Sequence, residues 1–248
     1  MDKKYTAILL AAGNSQRLAE LTKNLPKSFL KLGEKKIIEY NLEHISKNNI
    51  QEIIMVVGYK KELFKKEFGT SFKGIDIKYA VTDDYINTDN GYSLFITKSS
   101  WEENKNHVLV IDADMYFQKG LLKKVIDSES ESTTLVEAKN KGTIEEMVLG
   151  LNGKVSGFLR TDGNGIDNLA GEQAGITKLS SEFIDNYYNY SESFFKESGY
   201  NQKYERVFDH VVRERGLEMD YIEVGSYRWI NINKVEDYEK AKNIYKTV

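Results

Sequence analysis

An α/β fold with a mostly parallel sheet flanked by helices is what this sequence predicts, and three observations carry that expectation. Short apolar runs rich in branched residues lie between turn residues at 7–10, 53–57 and 108–111, the pattern of strands buried on both faces. Helical spacing separates them: Ile37, Ile38, Asn41, Leu42 and Ile45 recur on one helix face, and Leu63, Phe64 and Phe68 mark another. Strand–helix alternation of this kind favours parallel pairing through right-handed crossovers. The chain is also long enough, at 248 residues with 40% apolar content, for one α/β domain with a substantial core.

The second half changes character. Segments 133–136, 147–151 and 155–159 read as strands separated by Gly and Asn turns. Segments 180–195 and 204–215 read as helices, and 235–245 as a terminal helix. There is no internal repeat, linker or low-complexity stretch, so one domain over 1–248 is expected, with halves of about 1–130 and about 131–248. The later half is expected to form a small lobe.

Composition narrows the function classes. A formal net charge of −3 gives no broad electrostatic footprint for nucleic acid, so any phosphate must be met by a few placed cations and backbone amides. The absence of cysteine removes disulfides and thiolate metal sites, and 3 histidines leave little for a histidine-rich one. The apolar run 5–12 is too short to span a membrane and lacks a cleavage region, and no later segment supplies a span. A cytoplasmic location with no membrane partner is therefore expected.

The first chemical signal follows the first strand. Leu10-Ala11-Ala12-Gly13-Asn14-Ser15 places small residues where a strand turns toward a helix. Small side chains let backbone amides approach phosphate oxygens, and a helix start adds its positive end. Arg17 offers a planar fork to a polyphosphate. A tight turn with a solvated Arg17 is the plainer alternative, and the run fits neither the P-loop nor the dinucleotide fingerprint. Pro26, the chain's 1 proline, fixes φ and suits a rigid turn that aims Lys27 at a ligand. The competing reading is an exposed lysine in a charged loop.

Leu10-Ala11-Ala12-Gly13 with Arg17-Leu18, followed by Thr22-Lys23-Asn24-Leu25-Pro26-Lys27-Ser28-Phe29-Leu30, resembles the signature of the sugar-phosphate nucleotidyltransferase superfamily. The resemblance implies that superfamily's Rossmann-like sheet with a small acceptor-side lobe. It also implies that the glycine loop and Arg17 hold a triphosphate, that Lys27 contacts the α-phosphate and the acceptor, and that Lys23 is a secondary candidate. Further blocks are similar to the phosphocholine and 2-aminoethylphosphonate cytidylyltransferase branch. They are Asn87-Thr88-Asp89-Asn90-Gly91-Tyr92-Ser93-Leu94, Val110-Ile111-Asp112-Ala113-Asp114, Gly171-Glu172-Gln173-Ala174-Gly175-Ile176-Thr177-Lys178-Leu179, and the terminal Tyr227-Arg228-Trp229 through Tyr245. Inositol-phosphate cytidylyltransferases share the wording from Asn90 to Leu94.

In that branch the Asn87–Ser93 segment lies by the base, which makes Asn87, Thr88 and Ser93 base-side candidates; capping of the following helix is the equal alternative. Asp112 and Asp114 follow a buried strand, where an open parallel sheet presents its crevice. Hard oxygen donors suit Mg²⁺. The resemblance makes Asp114 the metal ligand and Asp112 either a support behind the metal's ligands or a ribose-side group, against the alternative of an acidic helix cap. On the acceptor side it points to Arg160 for a phosphate and to Glu172 or Glu205, beside Tyr204, for an amine or ammonium. Tyr227 and Trp229 are candidates for stacking on a cation, although such rings more often pack a core.

One departure stands out. Related cytidylyltransferases carry Trp-x-Glu-x-Asp near their end, and this chain reads Trp229-Ile230-Asn231-Ile232-Asn233. Asparagine carbonyls coordinate a hard cation without adding charge, so Asn231 and Asn233 with Asp114 predict a weaker Mg²⁺ site. The expected activity is transfer of CMP from CTP to a phosphorylated or phosphonate small molecule with release of pyrophosphate, by a monomer or homodimer. A sugar-1-phosphate or inositol-phosphate nucleotidyltransferase is the alternative enzyme, and a nucleotide-binding protein with weakened catalysis is the alternative of another class.

Overall fold

The computed structural model of the chain describes residues 3–14, 18–23, 25–138 and 144–246. In chain order it begins with β1 (Tyr5–Ala11), α1 (Ala19–Thr22), a 3₁₀ turn at Lys27–Phe29, β2 (Lys31–Leu32) and β3 (Lys35–Lys36). Then come α2 (Ile37–Ile45), β4 (Ile50–Val57), α3 (Lys61–Phe68), β5 (Ser71–Phe72) and β6 (Ile75–Val81). Two short helices, α4 (Asn90–Phe95) and α5 (Lys98–Glu102), lead into β7 (His107–Asp112), β8 (Met115–Phe117) and α6 (Leu121–Ile126). The second half runs through β9 (Thr133–Glu137), β10 (Glu145–Leu151), β11 (Lys154–Thr161) and β12 (Leu169–Leu179). It ends with α7 (Ser181–Ser198), α8 (Tyr204–Arg215), β13 (Asp220–Glu223), β14 (Trp229–Asn231) and α9 (Val235–Lys246).

One ten-stranded sheet takes the order β10-β11-β13-β9-β12-β7-β1-β4-β6-β5. Its centre is parallel: β1 pairs with both β4 and β7, placing Leu9 against Met55 on one side and Ile111 on the other. Parallel pairing thus holds for β6-β4-β1-β7, as the alternation in the first half predicts. Beyond β7 the sheet turns mixed, because β12 runs antiparallel to β7, β9 and β10.

Period-two alternation along β1 explains the layers. Ala7, Leu9 and Ala11 face a core closed by Ile38, Leu42 and Ile45 of α2, Phe64 of α3 and Val125 of α6. Ile8, Leu10 and Ala12 face the other, closed by Leu94 of α4, Trp101 of α5, Tyr187 of α7 and Phe208 of α8. Both faces are buried, so β1 is fully buried along its 7 residues. A third cluster joins Leu18, Leu32, Ile37 and Tyr116 to Ile232 and Ala241, which docks α9 beside the first loop and the β8–β14 pair.

Candidate active site

The carboxyl ends of β1 and β7, the start of α4, the bend of β12, the start of α8 and the end of β14 surround one cavity of about 690 Å³. Of the sequence candidates, Leu10, Ala12, Gly13, Asn14, Lys27, Thr88, Ser93, Asp112, Asp114, Arg160, Glu172, Glu205, Asn231 and Asn233 line it. Gly13 and Lys27 therefore line the same cavity. Arg17 and Ser15 lie outside the described residues.

Gly13 has no internal reason to be glycine. Its φ is not among the positive values, and a Cβ built on it meets nothing within 4 Å. A bare backbone facing open cavity is what close approach by a ligand requires. Lys27 begins the 3₁₀ turn that follows Pro26, whose φ of −56° and ψ of 144° set the entry to that turn. Its ammonium is ion-paired with Asp114 and donates to Asn233 Oδ1 at 3.0 Å. The side chain is only 15% exposed, so the charge is held in place.

Asp112 ends β7 and Asp114 lies in the turn just after it. Ile232 N donates to the Asp114 carbonyl, which ties the Asn231–Asn233 segment to that turn. Asn231 Oδ1 is buried and has no hydrogen-bond partner among the described residues. Asp114 with the two asparagine carbonyls forms an all-oxygen set fit for a hard divalent cation, and the orphaned Asn231 oxygen is the observation that favours it. Among the described residues there is no cluster of three or more His, Cys, Asp or Glu able to hold a metal, so the set is poor in charge.

Electrostatics divide the cavity. Burial, then the carboxylates of Asp114 and Glu205, push the Asp112 carboxyl well above its usual range. Tyr204 supports Asp112 from below, with its hydroxyl 3.4 Å from Asp112 Oδ2 and 3.3 Å from Gln173 Oε1. Glu205, in the first turn of α8, is pushed up to about 7 by burial and by Glu146, against the pull of Lys203. Burial opposes the Lys203 charge, but Glu205, Asp89, Asp112 and Glu146 together hold its ammonium above the usual lysine range.

At the far end Glu146 takes two guanidinium groups, Arg160 Nη1 at 3.1 Å and Arg206 Nη2 at 2.7 Å. Arg160 and Glu146 are register partners across the β10–β11 hairpin. Arg160 thus reaches the cavity already engaged, with its side chain 53% exposed.

Five candidates do not line the cavity. Ala11 points into the opposite core. Lys23 is exposed in a positive-φ turn. Asn87 is exposed and donates to Asp84 Oδ1 at 2.6 Å. Tyr227 packs beside Gly120, with Lys124 over its ring at 5.9 Å, and Trp229 Nε1 donates to Glu137 Oε2 at 2.5 Å; both pack against the first core. The segment before α4 also caps: the Asp89 carboxylate accepts from Asn90 N at 2.6 Å, while Ser93, one turn on, faces the cavity.

Sequence reasoning missed Gln173, Lys203, Asp89, Asn90, Glu145 and Glu146 as lining residues. For Glu146 a signal existed, because the Asn152-Gly153 turn folds 146 onto 160. Lys203 sits in an ordinary polar stretch, and only the packing of α8 onto α4 brings it in.

Residues 6–145 match the family model described as nucleotidyl transferase. The chain is 29% identical over 248 residues to the choline-phosphate cytidylyltransferase of Streptococcus pneumoniae, with 97% of this chain and 98% of the relative covered. It is 25% identical over 252 residues to the CTP:phosphoglutamine cytidylyltransferase of Campylobacter jejuni, with 94% and 97% covered. The solved structure of the CTP:phosphocholine cytidylyltransferase from Streptococcus pneumoniae matches with a TM-score of 0.78 at 24% identity, over 97% of this chain and 98% of that one, a likeness of fold. No helix of the described residues is long and apolar enough to cross a membrane.

Proposed function

Since the chain belongs to the nucleotidyl transferase family, we propose that it is a cytidylyltransferase, moving CMP from CTP to a phosphorylated or phosphonate small molecule and releasing pyrophosphate. The single observation that carries this reading is that the bare Gly13 backbone and the Lys27 ammonium line the same cavity. The two relatives named above, both CTP-using cytidylyltransferases by name and matched along nearly their whole length, support the choice of nucleotide.

An acceptor phosphate or phosphonate oxygen attacks the α-phosphorus of CTP in line. A new P–O bond forms as the bond from the α-phosphorus to the bridging oxygen breaks, and pyrophosphate leaves with that electron pair. An ionised acceptor oxygen needs no strong base, so positioning and charge neutralisation dominate. Backbone amides at 12–14 receive the triphosphate, with Arg17 as a further phosphate ligand. Lys27 exchanges Asp114 for phosphate oxygens and spreads the charge that develops there. Thr88 and Ser93, which line the cavity, are our assignment for the base, and Asp112 for the ribose.

Enzymes of this family generally use a divalent metal. Mg²⁺ is our assignment here, held by Asp114 with Asn231 and Asn233, and when bound it neutralises the nucleotide's phosphate charge. The nucleotide half is about 1–130 and the acceptor half about 131–248 of one domain, working in the cytoplasm. Pyrophosphate release measured with CTP, UTP and dTTP against phosphocholine, phosphoethanolamine, 2-aminoethylphosphonate, a sugar 1-phosphate and an inositol phosphate tests the assignment. Turnover confined to CTP with an amine-bearing acceptor is expected. Turnover with UTP or dTTP and a sugar phosphate would replace it.

A further inference from the structure

The acceptor end of the cavity contains a buried carboxylate oxygen with no hydrogen-bond partner among the described residues. Resting on the cytidylyl-transfer reading for the reaction, we propose that the acceptor carries an N–H-bearing ammonium group seated on Glu205, and that this seat discriminates against a trimethylammonium group.

Four glutamates line this end: Glu145, Glu146, Glu172 and Glu205. Glu146 is already shared between Arg160 and Arg206 and has little left to offer a ligand. Glu205 differs. It is 3% exposed, it lines the cavity, and its Oε2 has no hydrogen-bond partner among the described residues. Lys203 offsets its charge through space, yet no hydrogen bond between the two is formed. A buried carboxylate oxygen without a donor is costly, and the missing donor is supplied by a ligand N–H.

A trimethylammonium group has no N–H. It would leave Oε2 as unsatisfied as before, and such groups are recognised by aromatic faces. Rings are scarce at this end. Among the described lining residues the aromatic one is Tyr85, which sits with Ile86 and Thr88 in the segment before α4 that we assign to the base. Tyr204 is fully buried beneath the wall, its ring 5.0 Å from Phe208 and its hydroxyl turned to Asp112 and Gln173. Trp229 is held by Glu137 and does not line the cavity.

A hydroxyl-rich acceptor would supply donors but no charge. Glu145, Glu146, Glu172 and an ionised Glu205 carry one negative charge more than Arg160, Arg206 and Lys203, which favours a cationic ligand. An ammonium also draws the raised Glu205 carboxyl back to its ionised form on binding, strengthening the contact.

The test uses the full chain loaded with Mg²⁺ and a non-hydrolysable CTP analogue. Binding of phosphoethanolamine and phosphocholine, which differ only by three N-methyl groups, is measured by calorimetry, with glycerol 3-phosphate as the uncharged-hydroxyl control. Phosphoethanolamine is expected to bind on the order of 10- to 100-fold more tightly than either, the range of a charge-assisted hydrogen bond. Glu205→Gln, in protein that still binds the CTP analogue, is expected to shrink that gap below about threefold. Phosphocholine or glycerol 3-phosphate binding as tightly as phosphoethanolamine, no measurable phosphoethanolamine binding, or a gap that survives Glu205→Gln would each overturn the proposal. Pyrophosphate release is followed in parallel. Its failure beside an intact ammonium preference removes the transfer reading alone.

Discussion

Replacing Lys27 by alanine separates its structural weight from its chemical one, because the two differ in size. Structurally, the lost contacts are an ion pair with Asp114, a hydrogen bond to Asn233 and the packing of three methylenes on a side chain 15% exposed. The pair is open to water on the Asp114 side, 28% exposed, so it contributes about 1 kcal/mol or less. Methylene burial adds about 2 kcal/mol at most. A loss of roughly 1–3 kcal/mol lowers Tm by about 2–12 °C in a chain of this size. Chemically, removal of a preorganised cation from the developing phosphate charge costs on the order of 100-fold or more in kcat. A third consequence has the opposite sign: Asp114, relieved of its partner, should bind divalent metal several-fold more tightly without nucleotide, about 1 kcal/mol of released pairing. Thermal melting, pyrophosphate release at saturating substrates and calorimetric Mn²⁺ titration read the three separately. Turnover within threefold of the parent in a folded variant would refute the placement of Lys27 at the chemistry.

Three other outcomes follow from the same site. Asn233→Asp restores a carboxylate beside Asp114 and should lower the Mg²⁺ half-saturation for pyrophosphate release by about tenfold, the scale of one added ligand charge; an unchanged metal requirement places Asn233 away from the ion. Gly13→Ala meets open space and a permitted φ, so Tm should stay within about 2 °C while KM for CTP rises tenfold or more. A KM unmoved beside an intact fold would mean that no phosphate lies against that backbone. The last concerns pH. Glu205 is raised from 4.5 to about 7 by burial, so the folded state holds its proton more tightly than the unfolded one. Its contribution is full below pH 4.5 and is lost as pH rises through 7, up to about 3 kcal/mol without ligand. Glu205→Gln should therefore flatten the fall of Tm between pH 4.5 and 7, and a parallel slope in both proteins would argue against the raised carboxyl.

The parallel centre was legible because its strands are uninterrupted. β1, β4 and β7 announce themselves as apolar runs, and the helix from Tyr204 to Arg215 has the bounds its periodicity predicts. β6 was hidden by half-burial, since Ile75-Asp76-Ile77-Lys78-Tyr79 mixes charges into a strand near the sheet edge. β12 was hidden twice over. Gly171 and Gly175 interrupt it, and Lys178 sits in its fully buried part, where the ammonium donates to the carbonyls of Ile126 and Ser128 and is pushed down to about 8 by burial. A lysine made tolerable by two carbonyls reads from sequence as a surface residue. At the site, residues carried by local motifs around Gly13, Lys27 and Asp114 could be found, whereas Lys203 arrives by tertiary packing alone. Tyr227 and Trp229 show the opposite error, since two rings near the chain's end serve the core.

The step in β12 has a practical meaning for anyone recombining relatives of this protein. Between Gln173 and Thr177 the strand carries two residues more than its partner β9, so one unbroken stretch of backbone changes neighbours from β10 to β7. Gly175 makes the change with φ +67°, and a Cβ there would meet Met115 Sδ at 2.8 Å and Asp112 Oδ2 at 3.1 Å. Swapping specificity segments between homologues is therefore best spliced at this step, keeping its glycine. A crossover upstream would bring a foreign strand against Asp112, and any side chain at the seam would press on Asp112 and Met115.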